Sequence, residues 1–198
     1  LAESGLPARA LKAGQRMPDF ELPDATGMLV RSAELRSAGP LVVSFYRGHW
    51  CPYCSLEIKA LQGRLGDIRA KGGALVAISP QTPDQSLTTR EKHGLEFPVL
   101  SDAGNRVARS FGLVFEVDDS LMPIYESFGI DLSAHNGDQS HELPVPATYV
   151  VGTDGTVVDA FIDVDYRRRL APETVLEWLE RARPVTGKTS GNRSAAGR

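Results

Sequence analysis

The chain has only two cysteines in 198 residues, too few for the disulfide framework that holds small secreted scaffolds together. It has no uninterrupted apolar run near the ~20 residues that a membrane span requires. It also lacks an excess of cations: 22 Lys and Arg stand against 25 Asp and Glu, a formal net charge of −3. Nucleic acid is therefore not expected as a main partner, because phosphate binding rests on clustered positive charge. The one local basic run, Arg167, Arg168 and Arg169, is flanked by Asp163 and Asp165 and reads as a solvated face, with a specific anionic or partner contact as the alternative. The four histidines are scattered, so the spacing that a zinc site needs is missing and no metal is expected.

No secretory leader is visible either, since residues 1–12 lack the basic-then-apolar order of a signal peptide. Two closely spaced, reducible cysteines suit a cytoplasmic setting, and export with an upstream leader removed is the alternative. The chain begins at Leu1 rather than Met. With 41% hydrophobic residues it is long enough for one well-buried core and short for two. The expected organisation is a lead-in over 1–13, a single domain over 14–183 and a Gly/Ser/Lys-containing disordered tail over 184–198.

What the chain does contain is an alternation of short apolar runs and helical patterns, the signature of an α/β protein with a central sheet. Strands are predicted over 41–46, 74–79, 97–100, 148–151 and 156–162, with an extended piece over 113–116. The last two predicted strands are joined across Asp154-Gly155 and should form an antiparallel hairpin. Helices are predicted over 52–71, 84–93 and 105–111, and another starts at Pro172. The first of these places Cys54, Ile58, Leu61, Leu65 and Ile68 on one face. Breakers crowd 118–145, which reads as an insertion with one helix near 121–128.

Both cysteines lie in the run from Phe45 through Tyr46, Arg47, Gly48, His49 and Trp50 to Cys51-Pro52-Tyr53-Cys54. The strand stops before Gly48, so Cys51 falls at the N-cap of the following helix and Pro52 at its first position. Unpaired N–H groups of the first turn then converge on Cys51, and with Arg47 and His49 nearby they favour its thiolate. Cys54 lies one turn inside. Cys51 is thus the predicted nucleophile and Cys54 the resolving thiol, and residues three apart on a helix, about 5–6 Å from each other, can close a disulfide. A buried pair of small apolar cysteines and half of a zinc site are the competing readings. Trp50 and Tyr53 either form an apolar lip that docks a partner or cap the core, and Tyr46 reads as a packing residue. His93, His135 and His141 are assigned no catalytic role.

Three separated motifs resemble the alkyl hydroperoxide reductase/thiol-specific antioxidant family, in its peroxiredoxin-like branch of the thioredoxin fold. The lead-in Gly14-Gln15-Arg16-Met17-Pro18-Asp19-Phe20-Glu21-Leu22-Pro23-Asp24-Ala25-Thr26-Gly27 is similar to the family's N-terminal extension, which ends in a small hairpin. The segment from Arg47 to Cys54 resembles its peroxidatic region. Leu143-Pro144-Val145-Pro146-Ala147-Thr148-Tyr149-Val150-Val151 resembles the later strand that a cis-proline opens in thioredoxin-like proteins. The resemblance covers roughly 14–183. It implies a central mixed sheet flanked by helices, with the N-terminal extension and an insertion before the final hairpin. It also implies a cis-Pro146 that presents the Val145 backbone to whatever docks at Cys51.

The family holds its peroxide with a proline seven residues and a threonine three residues before the reactive cysteine, and with an arginine on a later strand. Ser44, Gly48 and Pro146 stand at those positions here. Substrate positioning accordingly falls to Arg47, His49, Trp50, Val145 and Pro146. The leading expectation is a thiol-dependent peroxidase without cofactor, in which Cys51 becomes a sulfenic acid and Cys54 condenses with it. The alternatives are a thioredoxin-like disulfide oxidoreductase, favoured by the Cys-Pro-Tyr-Cys motif, a redox-sensing binding module, and a metal-binding module. The partners implied are a hydroperoxide or disulfide substrate and a thioredoxin-like or small-thiol reductant, with no nucleic acid and no membrane. A homodimer is compatible with the reading.

Overall fold

The apolar runs assemble into a five-stranded sheet in the computed structural model, which describes residues 5–182. In chain order the elements begin with a single turn α1 (Leu6–Arg9), a hairpin of β1 (Glu21–Pro23) and β2 (Leu29–Arg31), and α2 (Ser32–Ser37). The central βαβα unit follows: β3 (Leu41–Phe45), α3 (Pro52–Gly63), α4 (Leu65–Ala70), β4 (Ala74–Ser79) and α5 (Pro83–His93). Next come β5 (Val99–Ser101), α6 (Arg106–Ser110), β6 (Val114–Glu116), α7 (Met122–Ser127), α8 (Leu132–Asn136) and β7 (Glu142–Pro144). The final hairpin, β8 (Ala147–Val151) and β9 (Val157–Ile162), leads to α9 (Pro172–Arg181).

The central sheet runs β5-β4-β3-β8-β9. Its first three strands are parallel, and β8 and β9 are antiparallel to their neighbours. β3 sits in the middle and is buried on both faces, which is why its sequence reads as a continuous apolar run rather than an alternating one. Leu41, Val43 and Phe45 face one core with Phe111 and Tyr149, while Val42 and Tyr46 face a second core with both cysteines, Ile58, Leu61 and Leu179. This is the mixed α/β architecture that the resemblance implies, with the β1–β2 hairpin ahead of the core strand.

Three expectations are corrected. The helix predicted over 52–71 is two helices, because Arg64, following Gly63, leaves helical geometry with φ −108° and ψ 8°. The apolar stripe nevertheless continues, and Leu65 and Ile68 are buried with Cys54, Ile58 and Leu61. The insertion holds a second helix, α8, which the breaker-rich composition of 118–145 concealed. Asp131 caps it by accepting the Ala134 N–H at 2.9 Å, and the left-handed Gly137 ends it.

The third correction concerns Pro146: among the described residues no peptide bond is cis. The chain passes extended from β7 into β8, and the Val145 N–H is donated to the Leu113 carbonyl at 2.8 Å. A trans bond continues that path, and X–Pro bonds favour trans by about 0.5–1 kcal/mol. The tail predicted over 184–198 lies outside the described residues.

Candidate active site

The end of β3 and the start of α3 fix both sulfurs. Cys51 is the N-cap of α3, with Pro52 in the first turn, and its Sγ accepts the Cys54 N–H at 3.4 Å. A sulfur at that position satisfies one of the helix's orphan donors and sits at the positive end of its dipole. Arg47 Nη2 donates to the same sulfur at 3.4 Å. The Cys54 thiol hydrogen bond, followed by the Arg47 charge, lowers the Cys51 pKa to about 5 against the opposing effect of burial. Cys54 behaves oppositely, because complete burial and the neighbouring Cys51 charge push its pKa up. One thiolate and one thiol therefore share the site at neutral pH, and both cysteines are free.

Arg47 is itself buried and clamped by aromatic faces. Its guanidinium carbon lies 3.9 Å from the Tyr166 ring centroid and 5.2 Å from that of Trp50, within cation–π range. Trp50 reaches this position because residue 48 is glycine. A Cβ on Gly48 would stand 2.4 Å from Trp50 Nε1, so the indole occupies the space that a threonine side chain would need. Trp50 also packs edge-on against Tyr125 of α7 at 5.7 Å, and Tyr53 against Tyr166 at 5.8 Å.

A second arginine reaches the inner sulfur. Arg169 Nη2 donates to Cys54 Sγ at 3.4 Å, and its Nη1 lies 3.5 Å from Glu57 Oε2. Thr148 of β8 donates to Glu57 Oε1 at 3.1 Å. Burial raises the Glu57 pKa, with Arg169 and then Thr148 opposing it. The solvated-face reading of the basic run thus holds for Arg167 and Arg168, which pair with Asp165 and Asp163 at the surface, and fails for Arg169. Nothing local marks it, because its contact with Cys54 spans 115 positions of sequence.

A cavity of about 740 Å³ opens over Cys51. Arg47, Trp50 and Tyr53 line it near the cysteine, while Ile124, Tyr125 and Phe128 of the insertion form a largely apolar far wall. His49 also lines it, next to His135, whose ring is 4.9 Å away edge-on. Gln81 fixes the His49 tautomer: its Oε1 accepts the His49 backbone N–H at 2.9 Å, which turns its amide nitrogen to His49 Nδ1 at 2.7 Å. Nδ1 is therefore the acceptor and Nε2 carries the proton. Burial and the His135 ring keep the His49 pKa below its usual value, so at neutral pH Arg47 alone of the predicted pair brings charge to Cys51.

Val145 and Pro146 do not line this cavity. Val145 is buried and its N–H is engaged by Leu113, so that N–H is not free to pair with a docked peptide. Sequence reasoning also missed Tyr166 and His135, both placed by tertiary contacts without a local motif.

Residues 13–160 match the AhpC/TSA family. A candidate peroxiredoxin of Mycobacterium tuberculosis strain H37Rv is 36% identical over 154 residues, covering 78% of this chain and 87% of the relative. Peroxiredoxin Bcp of Escherichia coli K12 is 26% identical over 170 residues, 86% of this chain and 96% of that protein. The crystal structure of peroxidoxin BcpB from M. tuberculosis superposes with a TM-score of 0.71 at 25% identity, over 88% of this chain and 99% of the other.

Proposed function

The chain belongs to the AhpC/TSA family and is a thiol-dependent peroxidase of the peroxiredoxin kind, and from that premise we propose that Cys51 is its peroxide-reducing thiolate and Cys54 its resolving thiol. The observation that carries this assignment is the pair of donors on Cys51 Sγ, Cys54 N–H and Arg47 Nη2, beneath a cavity of about 740 Å³. The thiolate attacks the nearer peroxide oxygen, the O–O bond breaks, and the alkoxide or hydroxide leaves with a proton as alcohol or water. Cys51 is then a sulfenic acid, and Cys54 condenses with it to give the disulfide and water.

Arg47 takes over charge stabilisation from the family positions filled here by Ser44, Gly48 and Pro146. Preorganised positive charge at a developing anion is among the strongest aids to such a step. An external thiol, of thioredoxin type, restores the pair by exchange. That recycling assigns the protein to a reducing compartment. No helix among the described residues is long and apolar enough to cross a membrane. The disulfide-exchange reading has less support, since the Val145 N–H that would pair with a docked peptide is already bonded.

The test is thiol-dependent consumption of hydrogen peroxide and cumene hydroperoxide by the parent, Cys51→Ser and Cys54→Ser proteins. Cys51→Ser should be inactive, and Cys54→Ser should complete one turnover and then accumulate sulfenic acid. Activity retained in Cys51→Ser overturns the assignment.

A further inference from the structure

Two arginines serve two sulfurs. Arg47 donates to Cys51 and lines the cavity, whereas Arg169 donates to Cys54 and does not line it. Arg169 and Glu57 form a nearly enclosed ion pair, their side chains 14% and 5% exposed, and Thr148 holds the carboxylate from the sheet side. Burying such a pair carries a desolvation cost that apolar side chains of similar size avoid. Its position against Cys54 gives it a use, because the mechanism asks opposite things of that sulfur at different times. While Cys51 carries the negative charge, Cys54 must remain a thiol and donate to it. After Cys51 is oxidised that charge is gone, and Cys54 must become the anion.

We propose that Arg169, oriented by Glu57, is a catalytic residue of the second half-reaction, stabilising Cys54 as the thiolate that displaces hydroxide from the Cys51 sulfenic acid. In that step the Cys51 S–O bond breaks and the S–S bond forms. The departing hydroxide takes the proton that Cys54 released, water leaves, and no further oxidant or reductant is needed. The inference rests on Cys51 being the sulfur that peroxide oxidises. It assigns Arg47 to the first step and Arg169 to the second, so their losses have different kinetic signatures.

The experiment mixes reduced protein with one equivalent of hydrogen peroxide, quenches with dimedone at intervals and follows the Cys51 adduct and the disulfide by mass spectrometry. In Arg169→Met the sulfenic acid should form close to the parent rate, while disulfide closure slows by about tenfold or more, the scale of a lost charge-assisted hydrogen bond. Sulfinic acid should then appear at lower peroxide excess, and Arg169→Lys should recover part of the closure rate. Since Arg169→Met leaves Glu57 without its cation, the double variant Glu57→Gln/Arg169→Gln removes both charges and provides the same reading in a protein without a stranded carboxylate. Closure at the parent rate in these variants, or equal slowing of both steps, overturns the proposal. A Cys54→Ser protein that gives no Cys51 adduct instead overturns the underlying assignment of the nucleophile.

Discussion

At the scale of single residues, Gly48 decides what surrounds the nucleophile. Because a Cβ there would meet Trp50 Nε1 at 2.4 Å, Gly48→Thr, which restores the family's usual residue, should displace the indole and loosen Arg47. We expect a loss of about 1–3 kcal/mol of stability in urea unfolding and a fall, not a rise, in kcat/KM for hydrogen peroxide. Arg47 gives a second prediction. With the Cys51 pKa near 5, the sulfur is thiolate above that pH, and iodoacetamide labelling of Cys51 should reach half its maximum there. Arg47→Gln removes a group that favours the anion, so the labelling midpoint should rise toward the ~8.5 of a free cysteine. The N-cap position of Cys51 and the nearness of Arg47 were legible in the sequence because the two residues are only four positions apart. Arg169 and Tyr166 were not legible, since only the folded hairpin and the segment after β9 bring them to the sulfurs.

At the scale of elements, the sequence revealed those with one dominant period or a clean stop. β4 is found over the residues its apolar run marks, and α5 ends at the left-handed Gly94. In the insertion α7 lies where a helix was expected, near 121–128, whereas α8 escaped notice because its five residues are too few for the 3.6-residue period to repeat. Yet α7 and the residues after it supply the far wall of the cavity, where Ile124 and Phe128 are 50% and 76% exposed. Phe128→Asp should therefore raise KM for cumene hydroperoxide by roughly fivefold or more, the range of a lost apolar contact. The effect on hydrogen peroxide, which has no apolar part, should be smaller in parallel steady-state assays.

At the scale of the whole molecule, the sheet separates two cores, one holding the cysteines and the other an aromatic cluster. Phe111 packs at a tilt against Phe45 at 4.9 Å and edge-on against Tyr149 at 5.2 Å in the core away from the site. Phe111→Ala should lower stability by about 3–5 kcal/mol in denaturant unfolding, while the pH midpoint of Cys51 labelling stays at the parent value. The order of strands was not readable from periodicity, which identifies elements but not their neighbours. The family resemblance implied a mixed sheet without giving that order, and the same analogy suggested a cis bond at Pro146 that the structure does not have.

Both cysteines are 0% exposed, although one of them lines the cavity. The thiol of another protein cannot meet a sulfur so enclosed in line while the first turn of α3 keeps its shape. For a disulfide closed in the same enclosure we expect recycling to need an opening of that turn, so that steady-state turnover levels off as a protein reductant is raised.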